Sequence, residues 1–263
     1  MYNIKEGVVE AHAKQFPINK SYELVDDSFM QDLREKKILT LNKNGFRCDD
    51  FLIQNDKNVV LTGGCSVTFG VGLLDNETWP KILNDLLDTN TTSVYNISKP
   101  GWSLFDIVYN IFIYLHNFQK PKAIFLLLPD LYRSYGYSFI TNKTGVYVLN
   151  KKFKEDNLKN EIMMSNLRHA LNYLTILEEY CSSNKIQLSY TSWESQDSIG
   201  TYLKSLENYI YNNSTDRDNH INEFSKNNQN MSSLIVARDH KHPGLAFQSY
   251  YANLFYSLYK EIE

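Results

Sequence analysis

The sequence predicts an α/β fold, a three-layer α/β/α sandwich around a mainly parallel sheet, and three observations carry that prediction. Apolar runs of strand length, such as Ala123-Ile-Phe-Leu-Leu-Leu128, are nearly continuous rather than alternating, as in strands buried on both faces. Helix-length stretches separate these runs, so strand and helix alternate along the chain. The first such run, Asn58-Val-Val-Leu-Thr62, ends in Gly63-Gly64, a turn of the kind that sets a side chain at the carboxyl edge of a sheet.

Taken in order, residues 1–57 read as an amino-terminal extension packed on the main domain. Within it, Lys37 to Arg47 alternates apolar residues around Asn44-Gly45 and predicts a small hairpin. Residues 58–263 then form one domain: strand 58–62, helix 78–88, strand 92–97, helix 103–118, strand 122–128, helix 160–184, strand 186–191, helix 197–211 and a final helix 244–260. Two insertions interrupt the alternation. Tyr135 to Leu149, with Gly136 and Gly145 among aromatic and β-branched residues, predicts a hairpin at the sheet edge. Asn212 to Ser233 is rich in Asn, Asp and Ser and predicts a long loop.

A chain of 263 residues with 43% hydrophobic and 22% charged residues suits one well-buried core. The net charge of −3, with no basic cluster beyond Arg34-Glu-Lys-Lys37 and Lys151-Lys-Phe-Lys154, argues against a nucleic-acid partner. The three cysteines, Cys48, Cys65 and Cys181, are odd in number and lack metal-ligand spacing. They suit reduced thiols, and the expected location is cytoplasmic or virion-associated. No basic segment followed by an apolar core opens the sequence, and no apolar run reaches bilayer length, so neither a signal peptide nor a membrane anchor is expected. No cofactor is expected, and the oligomeric state has no sequence signal.

Ligands of an open parallel sheet bind beyond the carboxyl ends of its strands. Four segments converge there: Ser66, the loop Asn96 to Ser103, the loop Leu128 to Arg133, and Asp239 to Gly244. Ser66 is the first candidate nucleophile, because N–H groups that follow the strand can receive developing negative charge. A serine needs a base to take its proton, and Arg238-Asp-His-Lys-His-Pro-Gly244 offers histidine together with a carboxylate. Gly101, where a loop passes from strand to helix, is a candidate second oxyanion donor, since its N–H can approach a substrate oxygen with no side chain in the way. Asp130, Arg133, Trp102 and Tyr132 are candidate substrate contacts. Cys65 as nucleophile lacks a separate base. Asp239, His240 and His242 could share a cation, but no other His, Asp or Glu group has matching spacing, so no metal is expected.

Gly64-Cys-Ser66 with Gly70, Gly101 and Asp239-x-x-His242, in that order across roughly residues 58–260, resemble the serine, glycine and Asp-x-x-His blocks of the SGNH (GDSL-like) hydrolases. Leu41-Asn-Lys-Asn-Gly-Phe-Arg47 resembles an element upstream of the nucleophile in some bacterial and phage members, and Gly64-Cys-Ser66 with Thr68-Phe-Gly70 is similar to the phage-type serine block. The resemblance implies a flavodoxin-like fold, a Ser66–His242–Asp239 triad, and an oxyanion hole that includes the N–H groups of Ser66 and Gly101. It also implies ester or acyl-transfer chemistry on a small-molecule or glycan ester. His242 would take the Ser66 proton and return it to the leaving alcohol, while Asp239 holds the other ring nitrogen. The sequence departs from the family where a Gly-x-Asn-Asp block supplies a third donor, because Leu127-Leu-Pro-Asp130 stands there without an asparagine. An ionised Asp130 accepts hydrogen bonds and cannot replace an amide, and losing one such donor costs about 100- to 1000-fold in rate. Three functions stay open on the sequence: a serine esterase, an O-acyltransferase, and a catalytically inactive binding or virion-associated module.

Overall fold

The computed structural model describes residues 21–24, 37–52, 56–129, 133–138, 143–148, 156–193, 203, 206–210, 214–228 and 234–263. Its centre is a four-stranded parallel sheet of β3 (Asn58–Gly64), β4 (Thr92–Ser98), β5 (Ala123–Leu128) and β8 (Gln187–Ser192), ordered β4-β3-β5-β8. Counted along the sheet this is the 2-1-3-4 order of flavodoxin-like folds, in which the chain first steps to one side of its opening strand and then to the other. The register puts Gly64 beside both Ser98 and Leu127, so β3, β4 and β5 end level at one edge.

Side chains alternate across this sheet with period two. Leu61, Ile124, Leu126 and Leu188 turn toward α3 (Leu104–Asn117) and α4 (Asp156–Ser183). Val60, Ala123, Phe125 and Leu127 turn toward α2 (Trp79–Leu86) and α6 (Leu245–Lys260). Both faces are therefore covered, and the three-layer sandwich expected from the sequence is what forms. Fully buried Trp79 and Phe255 pack with ring centroids 5.0 Å apart between α2 and α6, and each such side chain contributes roughly 1.5–3 kcal/mol by leaving water. α2 carries Pro80 in its first turn, where the missing N–H has no helical partner to lose.

The carboxyl edge is where helices start. A four-residue helix, α1 (Ser66–Phe69), leaves β3 after a single residue, and α3 leaves the β4 loop through a capping box. In that box Ser103 Oγ accepts from Asp106 N, and Asp106 Oδ2 accepts from Ser103 N at 2.9 Å. The residues ahead of β3 reach the α3 side of the sheet, where Phe51 meets Tyr95 and Tyr114 at centroid distances of 5.2 and 5.1 Å.

Three expected elements differ. The amino-terminal hairpin does not fold across Asn44-Gly45; β2 (Lys37–Thr40) pairs instead with the upstream β1 (Ser21–Leu24), and Gly45 turns a loop closed by Phe46 N and Asn44 N donating to Asn42 Oδ1. The helix expected over 197–211 does not extend through Leu206–Ile210. Backbone bonds from Tyr190 N to Asn208 O and from Ile210 N to Tyr190 O hold that stretch along β8 as an isolated parallel bridge. The stretch read as a long loop contains α5 (Ser214–Asn227), a polar helix whose Ile221 is buried and whose His220 and Arg217 rest on Tyr250 and Phe247 of α6. One apolar stripe of this kind gives little periodic signal in so polar a segment. The expected edge hairpin forms as β6 (Arg133–Ser138) antiparallel to β7 (Lys143–Val148). No helix among the described residues is long and apolar enough to cross a membrane.

Candidate active site

Ser66 is the first residue of α1, directly beyond the end of β3. The chain turns there with almost no room: a Cβ on Gly64 would stand 1.9 Å from Thr68 Oγ1 and 2.9 Å from Leu127 O, so only glycine lets α1 fold back on its own strand. Ser66 is largely buried, at 8% exposed. Its N–H, at the first helical position, has no partner within the helix.

Long-range contacts fix α1. Asn96 Nδ2 donates to Thr68 O at 3.2 Å from β4, and Gln248 Nε2 donates to Val67 O at 3.2 Å from α6. Gln248 Oε1 also accepts from Trp79 N at 2.8 Å, which ties α1 and α2 to the same amide. Arg47 does the most. Its guanidinium is buried behind the turn that leaves α1, where Nη1 donates to Phe69 O at 2.9 Å and to Gly70 O at 2.7 Å, and Nη2 donates to Leu73 O at 2.8 Å. Nε donates to Asp75 Oδ1 at 2.6 Å. Burial lowers the Arg47 pKa and the Asp75 carboxylate opposes it.

The Asp-x-x-His segment forms a tight loop closed by Ala237 N donating to His242 O at 2.8 Å and by a bridge between Val236 and Pro243. Inside it, Asp239 Oδ1 accepts from the backbone N–H groups of Lys241 and His242, both at 3.1 Å, and Asp239 Oδ2 accepts from His242 Nδ1 at 2.5 Å. Burial works against the Asp239 charge, but these donors outweigh it and hold its pKa below the usual carboxylate value. With Nδ1 occupied, Nε2 is the ring nitrogen left to serve as a base.

This loop docks on the turn that leaves α1. Arg238 N donates to Gly72 O at 3.1 Å, and a Cβ on Gly72 would lie 3.0 Å from both Asp239 N and Asp239 Oδ1. Gly72 has φ of 78°, so a side chain there would meet strain as well as the loop. Arg238 itself is buried in a two-pronged ion pair with Glu77, donating Nη2 to Oε1 at 2.7 Å and Nη1 to Oε2. Among the described residues, no hydrogen bond links Ser66 to His242, and the contact of Ser66 Oγ is Cys65 Sγ at 3.8 Å.

Gly101 occupies the left-handed position of a turn closed by Trp102 N donating to Lys99 O, with φ of 82°. It is exposed, nothing lies within 4 Å of where its Cβ would stand, and its N–H has no partner among the described residues. Trp102 is a correction to the sequence reading. It is 3% exposed and packs edge-on against Phe46 at 5.9 Å, so its ring belongs to the core and offers no face to a substrate. Asp130 and Tyr132 lie outside the described residues, and Arg133 opens β6. Among the described residues no group of His, Cys, Asp and Glu is arranged to hold a metal ion.

The sequence reading missed Arg47, Glu77, Arg238 and Gln248 as groups that place the site, and it also missed Lys99. Lys99 follows β4, is 8% exposed, has no carboxylate partner among the described residues, and sets Nζ 5.1 Å from the Phe46 ring centroid. Burial brings its pKa down to about 8.

No protein-family model matches the chain, and no curated protein matches it. Solved structures are similar at low identity. A psychrotrophic esterase from Pseudoalteromonas sp. is 14% identical with a TM-score of 0.45, over 78% of this chain and 98% of that one. A member of the lipolytic protein G-D-S-L family from Veillonella parvula is 14% identical with a TM-score of 0.41, over 76% and 96%. An acetyl xylan esterase from the rumen bacterium Butyrivibrio proteoclasticus is 10% identical with a TM-score of 0.45, over 86% and 67%.

Proposed function

We propose that this chain is a serine esterase of the SGNH type that removes small acyl groups, acetyl first among them, from a carbohydrate. The observation that carries the reading is the Asp239–His242 pair at 2.5 Å, docked through Gly72 onto the turn that leaves the Ser66 helix. An imidazole oriented by a carboxylate, on a loop docked against the turn that follows a serine at a glycine-built strand end, supports acyl transfer.

In this mechanism the His242 imidazole takes the Ser66 proton as Oγ attacks the acyl carbonyl, and Asp239 stabilises the imidazolium that forms. The tetrahedral oxyanion is received by the N–H groups of Ser66 and Gly101, both of which lack backbone partners among the described residues. His242 then protonates the departing sugar oxygen. Water, activated by the same imidazole, attacks the acyl-enzyme and releases the acid; a second sugar hydroxyl in place of water would make the chain an O-acyltransferase. No cofactor or metal enters either step. The Ser66–His242 hydrogen bond is one that closes with substrate present, as catalytic hydrogen bonds in unliganded sites often do.

A non-catalytic binding module is the second reading, and the absence of a Ser66–His242 hydrogen bond is the observation on its side. The two readings part in one experiment: p-nitrophenyl acetate turnover and fluorophosphonate labelling of wild type against Ser66→Ala. The esterase reading expects label at Ser66 and loss of nearly all turnover in the variant. Label at Cys65, or turnover that survives Ser66→Ala, overturns it.

A further inference from the structure

Beside His242 lies an open cleft of about 570 Å³ whose walls come from three separate parts of the chain. Trp193 follows β8, Arg217 comes from α5, and His240, Lys241, His242 and Phe247 come from the candidate triad loop and the start of α6. None of the described residues that line the cleft is acidic, although the chain as a whole carries a net charge of −3. A concentration of positive charge in a net-negative protein, placed against a candidate general base, marks the sign of what binds there.

Two further features point to a ring-bearing ligand. Arg217 is held rather than waving in solvent: its side chain is 12% exposed, its Cζ is 6.0 Å from the Phe247 ring centroid, and its neighbour Asp218 pairs with Nε at 3.3 Å from a position 60% exposed. Trp193 contributes an indole whose Nε1 is buried and has no hydrogen-bond partner. Aromatic walls with planar donors suit a sugar ring, and a guanidinium with an ammonium suits an anionic substituent on it.

We infer that this cleft is the subsite for the sugar that leaves, and that this sugar carries negative charge, as a uronic acid does. The inference rests on the esterase reading and narrows its substrate class. Arg217 and Lys241 bind the carboxylate, while Trp193 and Phe247 hold the ring so that the ester oxygen lies toward His242.

The test compares acetate release from acetylated oligogalacturonate with release from acetylated xylo-oligosaccharide, a neutral ester of similar size. Wild type is expected to favour the acidic substrate in kcat/KM by at least about tenfold, an advantage that shrinks in high salt. Arg217→Gln and Lys241→Gln are each expected to raise KM for the acidic substrate about tenfold more than for the neutral one, the effect of losing one charge-assisted hydrogen bond. A second readout needs no turnover. Unacetylated trigalacturonate should change the Trp193 emission of Ser66→Ala protein saturably, Trp193→Phe should remove that change, and xylotriose should leave it unaltered. Equal kcat/KM on the two esters, or equal binding of the two trisaccharides, overturns the inference. Trigalacturonate binding without Ser66 labelling in wild type would uphold the cleft and sink the esterase reading instead.

Discussion

Arg238 and Glu77 stand 161 residues apart in sequence and meet in a buried, two-pronged ion pair next to the loop that holds Asp239 and His242. Glu77 belongs to the short turn between α1 and α2, where it also accepts from Leu74 N at 2.8 Å, and Arg238 immediately precedes Asp239. The pair therefore fastens the carboxyl-terminal half of the candidate site to the nucleophile half. Breaking one side leaves the other charge buried without its counter-charge, which costs about 3–5 kcal/mol. Glu77→Gln and Arg238→Met should each lose stability on that scale in urea unfolding, and the double variant should lose less than the sum. Fully additive losses would show that the two groups do not depend on each other.

Arg47 places the turn that leaves α1, through carbonyls that a lysine cannot reach together. Lysine has the charge but lacks the planar fork that serves Phe69, Gly70 and Leu73 at once. Arg47→Lys should lower stability by about 2–3 kcal/mol, the value of one or two charge-assisted bonds. It should also lower kcat more than it raises KM, because Ser66 moves while the binding walls stay. A variant with unchanged kcat would confine Arg47 to a folding role.

The contrast between these groups and the candidate triad marks what a sequence can carry. The strands were legible because β3 and β5 are apolar runs of strand length, and the contact between Asp239 and His242 was legible because three residues of spacing allow it. Arg47 lay within a segment singled out in sequence, yet its targets sit at a separation of 22 to 26 residues, and only packing brings them together. The same holds for Gln248 and Val67, 181 residues apart. Trp102 misled because an aromatic beside a glycine reads alike whether it lines a cleft or fills a core. α5 was hidden by composition, since its stability comes from docking on α6 rather than from intrinsic helix propensity.

Lys99 gives a prediction with a definite pH window. Its pKa falls from 10.5 in the unfolded chain to about 8 in the fold, because burial disfavours the charged form. Between those values the unfolded chain binds a proton that the folded one has released, so wild-type stability rises with pH across about 8 to 10.5. Lys99→Met removes the buried ammonium and should be more stable at pH 7 by on the order of 1–3 kcal/mol. That advantage should fade through the same window in urea titrations. An identical pH slope in variant and wild type would assign the window to other groups.

Asp239 tests the triad and carries the opposite pH sign. Its folded pKa lies below its unfolded one; burial opposes that shift, and the His242 ring, the His242 backbone and the Lys241 backbone outweigh burial by donating to the charged form. Its stabilising effect is therefore present above the unfolded value of about 4 and is lost as pH falls through the lower folded value. Asp239→Asn should be less stable than wild type at neutral pH, with the gap closing below about pH 4. The same substitution keeps the shape but places an amide where a carboxylate fixed the tautomer, so Nδ1 no longer has an acceptor that holds its proton. Turnover of p-nitrophenyl acetate should then fall by about 1000- to 10,000-fold, with fluorophosphonate labelling of Ser66 slowed in parallel. If stability follows the expected pH course while turnover stays near wild type, Asp239 braces the loop and another group orients His242.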